Sequence, residues 1–145
     1  MRFTDGDDVL SIDAAEFPSG FHGSEIDPDV LLNVKVQLRG YMAADQMWVE
    51  AGDWCEFVRQ FTELERTRRG EAELLGGSPD ELRLRFYVYS ATGQVAVEGH
   101  LARRGPTEEH QHFRLEFAMR FYPDMLQAAC AEFRLYRKCA ASSVK

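Results

Sequence analysis

The residues of this chain that could do chemistry are few and scattered. His110-Gln111-His112 places two imidazoles at alternate positions, with Glu108 and Glu109 beside them. A strand turns alternate side chains to one face, so that pair could hold a metal ion. The pattern supplies no third ligand, and the segment reads as polar surface at a strand start. His100 with Cys55, Cys130 or Cys139 would suit a thiol nucleophile activated by an imidazole. Cys55 and Cys130, however, fall on or beside apolar helical faces, where a free cysteine behaves as a small buried hydrophobe. Glu98, Glu116 and Asp124 do not form the paired carboxylates of an acid–base site. GxGxxG, P-loop and GxSxG motifs are absent from the sequence. The residues point to no catalytic, metal or cofactor site, and the chain reads as a non-enzyme.

The elements that would position these groups are easier to read. In Glu81–Tyr89 the apolar residues are Leu82, Leu84, Phe86 and Val88, and in His112–Tyr122 they are Phe113, Leu115, Phe117, Met119 and Phe121. Between them Gln94–Arg103 turns Val95, Val97, Gly99 and Leu101 to one side. Period-two alternation marks strands with one buried and one wet face, and a one-residue slip would expose every apolar side chain. Gly99 in mid-strand predicts a bulge or a close neighbour, with helix packing the favoured reading.

Further upstream, Leu31–Leu38 alternates in the same way, Gly40 marks a turn, and Tyr41–Glu50 alternates less regularly, with room for a bulge near Ala43–Ala44. Asp5-Gly6 suits the turn of a small hairpin. Glu71–Leu75 is a short strand. Trp54, Phe57, Val58, Phe61 and Leu64 form a helical stripe, with Asp53 as N-cap, Glu56 completing a capping box and Gly70 at C′. Leu126, Ala129, Cys130 and Phe133 form a second stripe, closed by Arg134, Arg137 and Lys138. The fold class predicted is α+β: an antiparallel meander of about six to eight strands with two amphipathic helices, near 53–69 and 124–138, on one face.

The 145 residues suit a single domain, with 1–30 an acidic hairpin and loop pinned by Phe17, Phe21 and Ile26, and 140–145 a frayed tail. A content of 45% hydrophobic and 12% aromatic residues is that of a folded protein. No apolar run approaches the roughly 20 residues of a membrane span. The acidic start lacks the apolar core of a secretory leader. Three cysteines at unrelated spacings predict reduced thiols in a cytosol. Residues 1–30 hold eight of the 24 acidic residues and one of the 17 basic ones, so the net charge of −7 sits there. That balance argues against nucleic-acid binding and suits a basic partner.

One order of features carries a resemblance. It runs Met47-Trp48-Val49-Glu50, Gly52-Asp53-Trp54, Phe57, Phe61, Leu64, Gly70, Glu71-Ala72-Glu73-Leu74, Leu82-Arg83-Leu84, Gly93-Gln94-Val95 and Phe113-Arg114-Leu115-Glu116-Phe117. Over roughly residues 28–136 this resembles the WapI-type bacterial immunity proteins and related small bacterial proteins. The resemblance implies a cytosolic antitoxin that blocks a secreted toxin domain, often a nuclease, by protein–protein contact and without catalytic residues or cofactor. For such a role Glu25, Asp27 and Asp29 are the first candidate contacts. Tyr87, Tyr89 and Tyr122 on the outer sheet face are the second. The rival readings are a carrier or enzyme with its ligand between sheet and helices, and a homodimer formed through the outer sheet face.

Overall fold

Alternation resolves into strands where the sequence places it. The computed structural model describes residues 1–15, 29–104, 111–137 and 139, with the backbone alone for Gln111 and His112. Among these the elements run β1 (Arg2–Asp5), β2 (Asp8–Ala14), β3 (Val30–Leu38), β4 (Tyr41–Val49), α1 (Ala51–Thr67), β5 (Glu71–Leu75), β6 (Leu82–Val88), β7 (Val95–Arg104), β8 (Gln111–Phe121) and α2 (Met125–Tyr136). The class is α+β. The meander divides into two four-stranded antiparallel sheets, β1-β2-β3-β4 and β5-β6-β7-β8, with α1 joining them.

The inward positions of both sheets and the stripes of both helices share one core. Leu32, Val34 and Val36 come from the first sheet, Leu84, Phe86 and Val97 from the second, and Trp54, Phe57, Phe61 and Phe133 from the helices. One hub of its aromatic cluster is Phe3, which is 0% exposed. The Phe3 ring centroid lies 4.9 Å from Phe121, 5.2 Å from Phe86, 6.3 Å from Phe133 and 6.4 Å from Phe61. Edge-on and tilted pairs of this kind add to the stabilisation from burial. Trp54 stacks on Tyr136 at 5.8 Å, and its indole Nε1–H is buried without a hydrogen-bond partner among the described residues.

Several contacts seal the margins. Gln60 Oε1 accepts the Glu73 N–H at 2.9 Å, so a side chain of α1 occupies a donor on the edge of β5. Asp45 and Arg103, both at inward positions of their strands, form an ion pair between β4 and β7. The Met1 amine donates to Ile12 O at 2.8 Å and to the Tyr136 hydroxyl at 2.9 Å, and pairs with Asp13 at 2.7 Å and Glu132 at 2.8 Å. The Tyr136 hydroxyl in turn donates to Ile12 O at 2.8 Å. Burial, and then the Glu132 and Asp13 carboxylates, raise its pKa far above the usual phenol value.

Local expectations are corrected where a distant residue takes over a local role. Helix α1 begins at Ala51, with Glu50 as N-cap and no side-chain cap bond of its own, so Asp53 lies in the first turn instead of capping it. The free Ala51 N–H is met at 3.1 Å by the Asp29 carboxylate. At the other end Arg68 takes the left-handed position (φ 54°) ahead of Gly70, its guanidinium donating to Glu65 O at 3.0 Å. Strands β3 and β4 pair without a bulge at Ala43–Ala44, and the register shift falls at Arg103/Arg104 against β8. The two residues between β1 and β2 are Gly6 and Asp7, and Gly6 has φ 61°. A Cβ on Gly99 would lie 1.9 Å from the Arg83 carbonyl oxygen, so the close neighbour is strand backbone and not a helix.

The largest correction concerns the thiols. Cys55 and Cys139 form a disulfide with Cα atoms 5.5 Å apart, and Cys130 remains free and buried. The expectation of reduced thiols therefore fails for that pair.

Candidate functional site

Among the described residues, the densest gathering of ionisable side chains lies on the outer face of the second sheet. The register that buries Leu84, Val97 and Phe117 turns their neighbours outward together. Arg83, His100 and Glu116 form one cross-strand row, and Arg85, Glu98 and Ala118 the next. Ala118 contributes little bulk, and the surrounding side chains wall a groove of about 470 Å³ lined also by Asp80, Gly99, Arg114 and Phe117.

The charges in the groove are answered within the sheet. Arg85 bridges Glu71 at 2.5 Å and Glu98 at 2.7 Å, and lies over the Tyr87 ring at 4.3 Å. Glu98 also accepts from the Tyr87 hydroxyl at 3.3 Å. Burial and then the Glu98 charge push the Tyr87 phenol up from its ordinary value. Arg83 pairs with Glu73 at 3.0 Å, and Arg114 with Glu116 at 2.6 Å. The Arg114 hydrogen bonds hold the Glu116 carboxyl below its usual range.

His100, 9% exposed, sits deepest. One ring nitrogen, Nδ1, faces Arg114 Nη2 at 3.3 Å, and a guanidinium can only donate. The neighbours therefore assign Nδ1 as acceptor and leave Nε2–H to donate to Asp80 O at 2.9 Å. Glu98 and Glu116 are both bound to arginines, so neither is an activated base.

The sequence candidates fall unevenly around this groove. Tyr87 lies on its face, half-buried. Tyr89 (44% exposed) and Tyr122 (59% exposed) flank Gln94 at one end of the same sheet. Asp29 is far from them in sequence and hydrogen-bonds the start of α1. Glu25 and Asp27, the anchors Phe17, Phe21 and Ile26, the Glu108–His110 segment, the His112 side chain and the 140–145 tail lie outside the described residues. His100 is kept apart from the thiols: it lines the outer groove, whereas Cys130 packs between the helices with its Sγ 3.7 Å from Phe61 O. Sequence reasoning missed Arg83, Arg85, His100, Arg114 and Glu116 as a group. The available signal was their shared outward parity.

A second hollow, about 540 Å³, lies on the outer face of the first sheet among Ser11, Asp13, Asn33, Lys35 and Gln46. It carries fewer charges, and Asp13 is already committed to the Met1 amine.

Fold and groove together define an α+β domain with a charged groove on its outer sheet face. No family model, curated protein or solved structure matches the chain. No helix among the described residues is long and apolar enough to cross a membrane.

Proposed function

We propose that this chain is a non-enzymatic binding protein that works by protein–protein contact through the outer face of β5–β8. The observation that carries this reading is the groove itself. Arg83, Arg85, Glu98, Arg114 and Glu116 are held by partners on a rigid sheet, with Tyr89 and Tyr122 exposed at its end. Pre-positioned ions and tyrosines are what a partner surface meets with little ordering cost.

The finer reading is an immunity protein that neutralises a basic toxin domain in the cytosol. The net charge of −7, concentrated in residues 1–30, supports it by favouring fast encounter with a basic partner. The test is co-purification with the product of the adjacent toxin-like gene, together with rescue of cells expressing that toxin. Tyr89→Ala with Tyr122→Ala should weaken binding at least about tenfold, an interface hot-spot effect. Absence of both binding and rescue removes the immunity reading.

A second reading, a small-molecule binder, draws on the same groove, where Arg83, Glu98, His100 and Glu116 converge. Its place would be outside the sheet, because the space between sheets and helices is filled by Phe3, Phe57, Phe61, Phe86 and Phe133. A melting-temperature rise with small charged ligands would favour it over the protein-contact reading.

A further inference from the structure

We infer that the Cys55–Cys139 bridge is a thiol–disulfide exchange site for small thiols, with Cys139 the sulfur attacked and Cys55 the leaving thiolate. The two cysteines lie 84 residues apart, one in the second turn of α1 and one beyond α2, and both are half-buried, within reach of a reagent. Their surroundings are unequal. Arg137 Nη1 lies 3.1 Å from Cys55 Sγ, so a guanidinium faces that sulfur. Among the described residues, Cys139 Sγ has instead the Arg137 carbonyl oxygen at 4.0 Å, the negative end of a dipole. A sulfur beside a guanidinium departs more readily as thiolate, and the better leaving group sets which sulfur is attacked.

The exchange runs in two balanced steps. An external thiolate forms a bond to Cys139 Sγ as the Cys55–Cys139 bond breaks, and the electron pair stays on Cys55, opposite Arg137. A second external thiolate then attacks the external sulfur of the mixed disulfide. It releases Cys139 as thiolate, which takes a proton from solvent. The protein is reduced to a dithiol and two small thiols are oxidised to one disulfide. Cys130 takes no part: burial raises its pKa, and its Sγ is turned to Phe61 O in the core.

The device goes beyond the binding reading and stands without it.

The test uses the full chain, purified under air, with reduced glutathione as the thiol. Before exchange, a thiol-specific alkylating reagent should find Cys130 alone, and only after unfolding. After a brief exposure quenched with acid and alkylated, peptide mass spectrometry should place glutathione on Cys139 and the alkyl group on Cys55. Arg137→Gln should slow exchange roughly 3- to 10-fold, from the loss of leaving-group stabilisation. Arg137→Lys should restore much of the rate, and Arg134→Gln should leave it unchanged. Circular dichroism confirms that each variant is folded. Three alkylable thiols in the air-purified protein, glutathione on Cys55, or an unslowed Arg137→Gln variant would each overturn the assignment.

Discussion

Replacing Phe3 by alanine puts the architecture to its sharpest test. From the sequence Phe3 belongs to a small hairpin at the acidic end of the chain. In the structure its ring is fully buried and touches Phe61 of α1, Phe86 of β6, Phe121 of β8 and Phe133 of α2. Removing a buried phenylalanine loses its transfer free energy and leaves a cavity, together about 3–5 kcal/mol. The cost should fall toward the upper end, because the neighbours belong to separate elements and cannot collapse together without moving a sheet. Against a typical total of about 5–15 kcal/mol, that is a large share. With a urea slope of about 2 kcal/mol per molar, the unfolding midpoint should drop by roughly 1.5–2.5 M. The assay is urea unfolding followed by Trp fluorescence and far-UV circular dichroism. Phe3→Leu should cost below about 1.5 kcal/mol. Leu135→Ala, at a side chain 84% exposed, should stay within about 0.5 kcal/mol. A Phe3→Ala midpoint shift under about 0.5 M at unchanged slope would place β1 outside the core and refute the hub.

Gly99→Ala should destabilise by about 3 kcal/mol or more, because its Cβ meets the Arg83 backbone at 1.9 Å and backbone cannot swing aside. The same unfolding assay reads it, and a loss under about 0.5 kcal/mol would contradict the close approach. Asp29→Ala should cost about 0.5–2 kcal/mol and speed amide exchange at the start of α1, whereas Asp29→Asn should retain most of the bond to Ala51 N–H. Glu56 should titrate in a carboxyl NMR experiment below its ordinary value of 4.5, chiefly through its hydrogen bonds with Arg59. Because the folded pKa is depressed, the associated stabilisation is present above about pH 4.5 and lost as pH falls through the folded value. The pair is exposed, so the effect on stability should be a few tenths of a kcal/mol, and high salt should move the midpoint back up. A midpoint near 4.5 at low salt would show that the Glu56–Arg59 pair does not form in solution.

Much of the frame was legible because it is periodic. The alternation in β3, β6, β7 and β8 and the stripe from Trp54 to Leu64 each follow from the local chain, and each is found where the pattern puts it. What escaped is non-local. Asp53 and Glu56 carry the spacing of a capping box, yet Asp29, 22 residues before Ala51, serves the helix start. No cysteine spacing reveals that Cys139 returns to Cys55 after the second sheet and α2. Gly99 announced a close neighbour but not its identity, which depends on how β6 sits against β7. The groove was invisible for the same reason. Arg83, His100 and Glu116 are 17 and 16 positions apart and become a row only once the register is known.

The hub at Phe3 also has a consequence for biosynthesis. Phe133 leaves the ribosome 130 residues after Phe3, roughly 6–26 s later at ordinary elongation rates. Through that interval the greasy ring on β1 waits with part of its socket unmade. The β1 segment must therefore be shielded, by transient clustering or by a chaperone, until α2 is delivered.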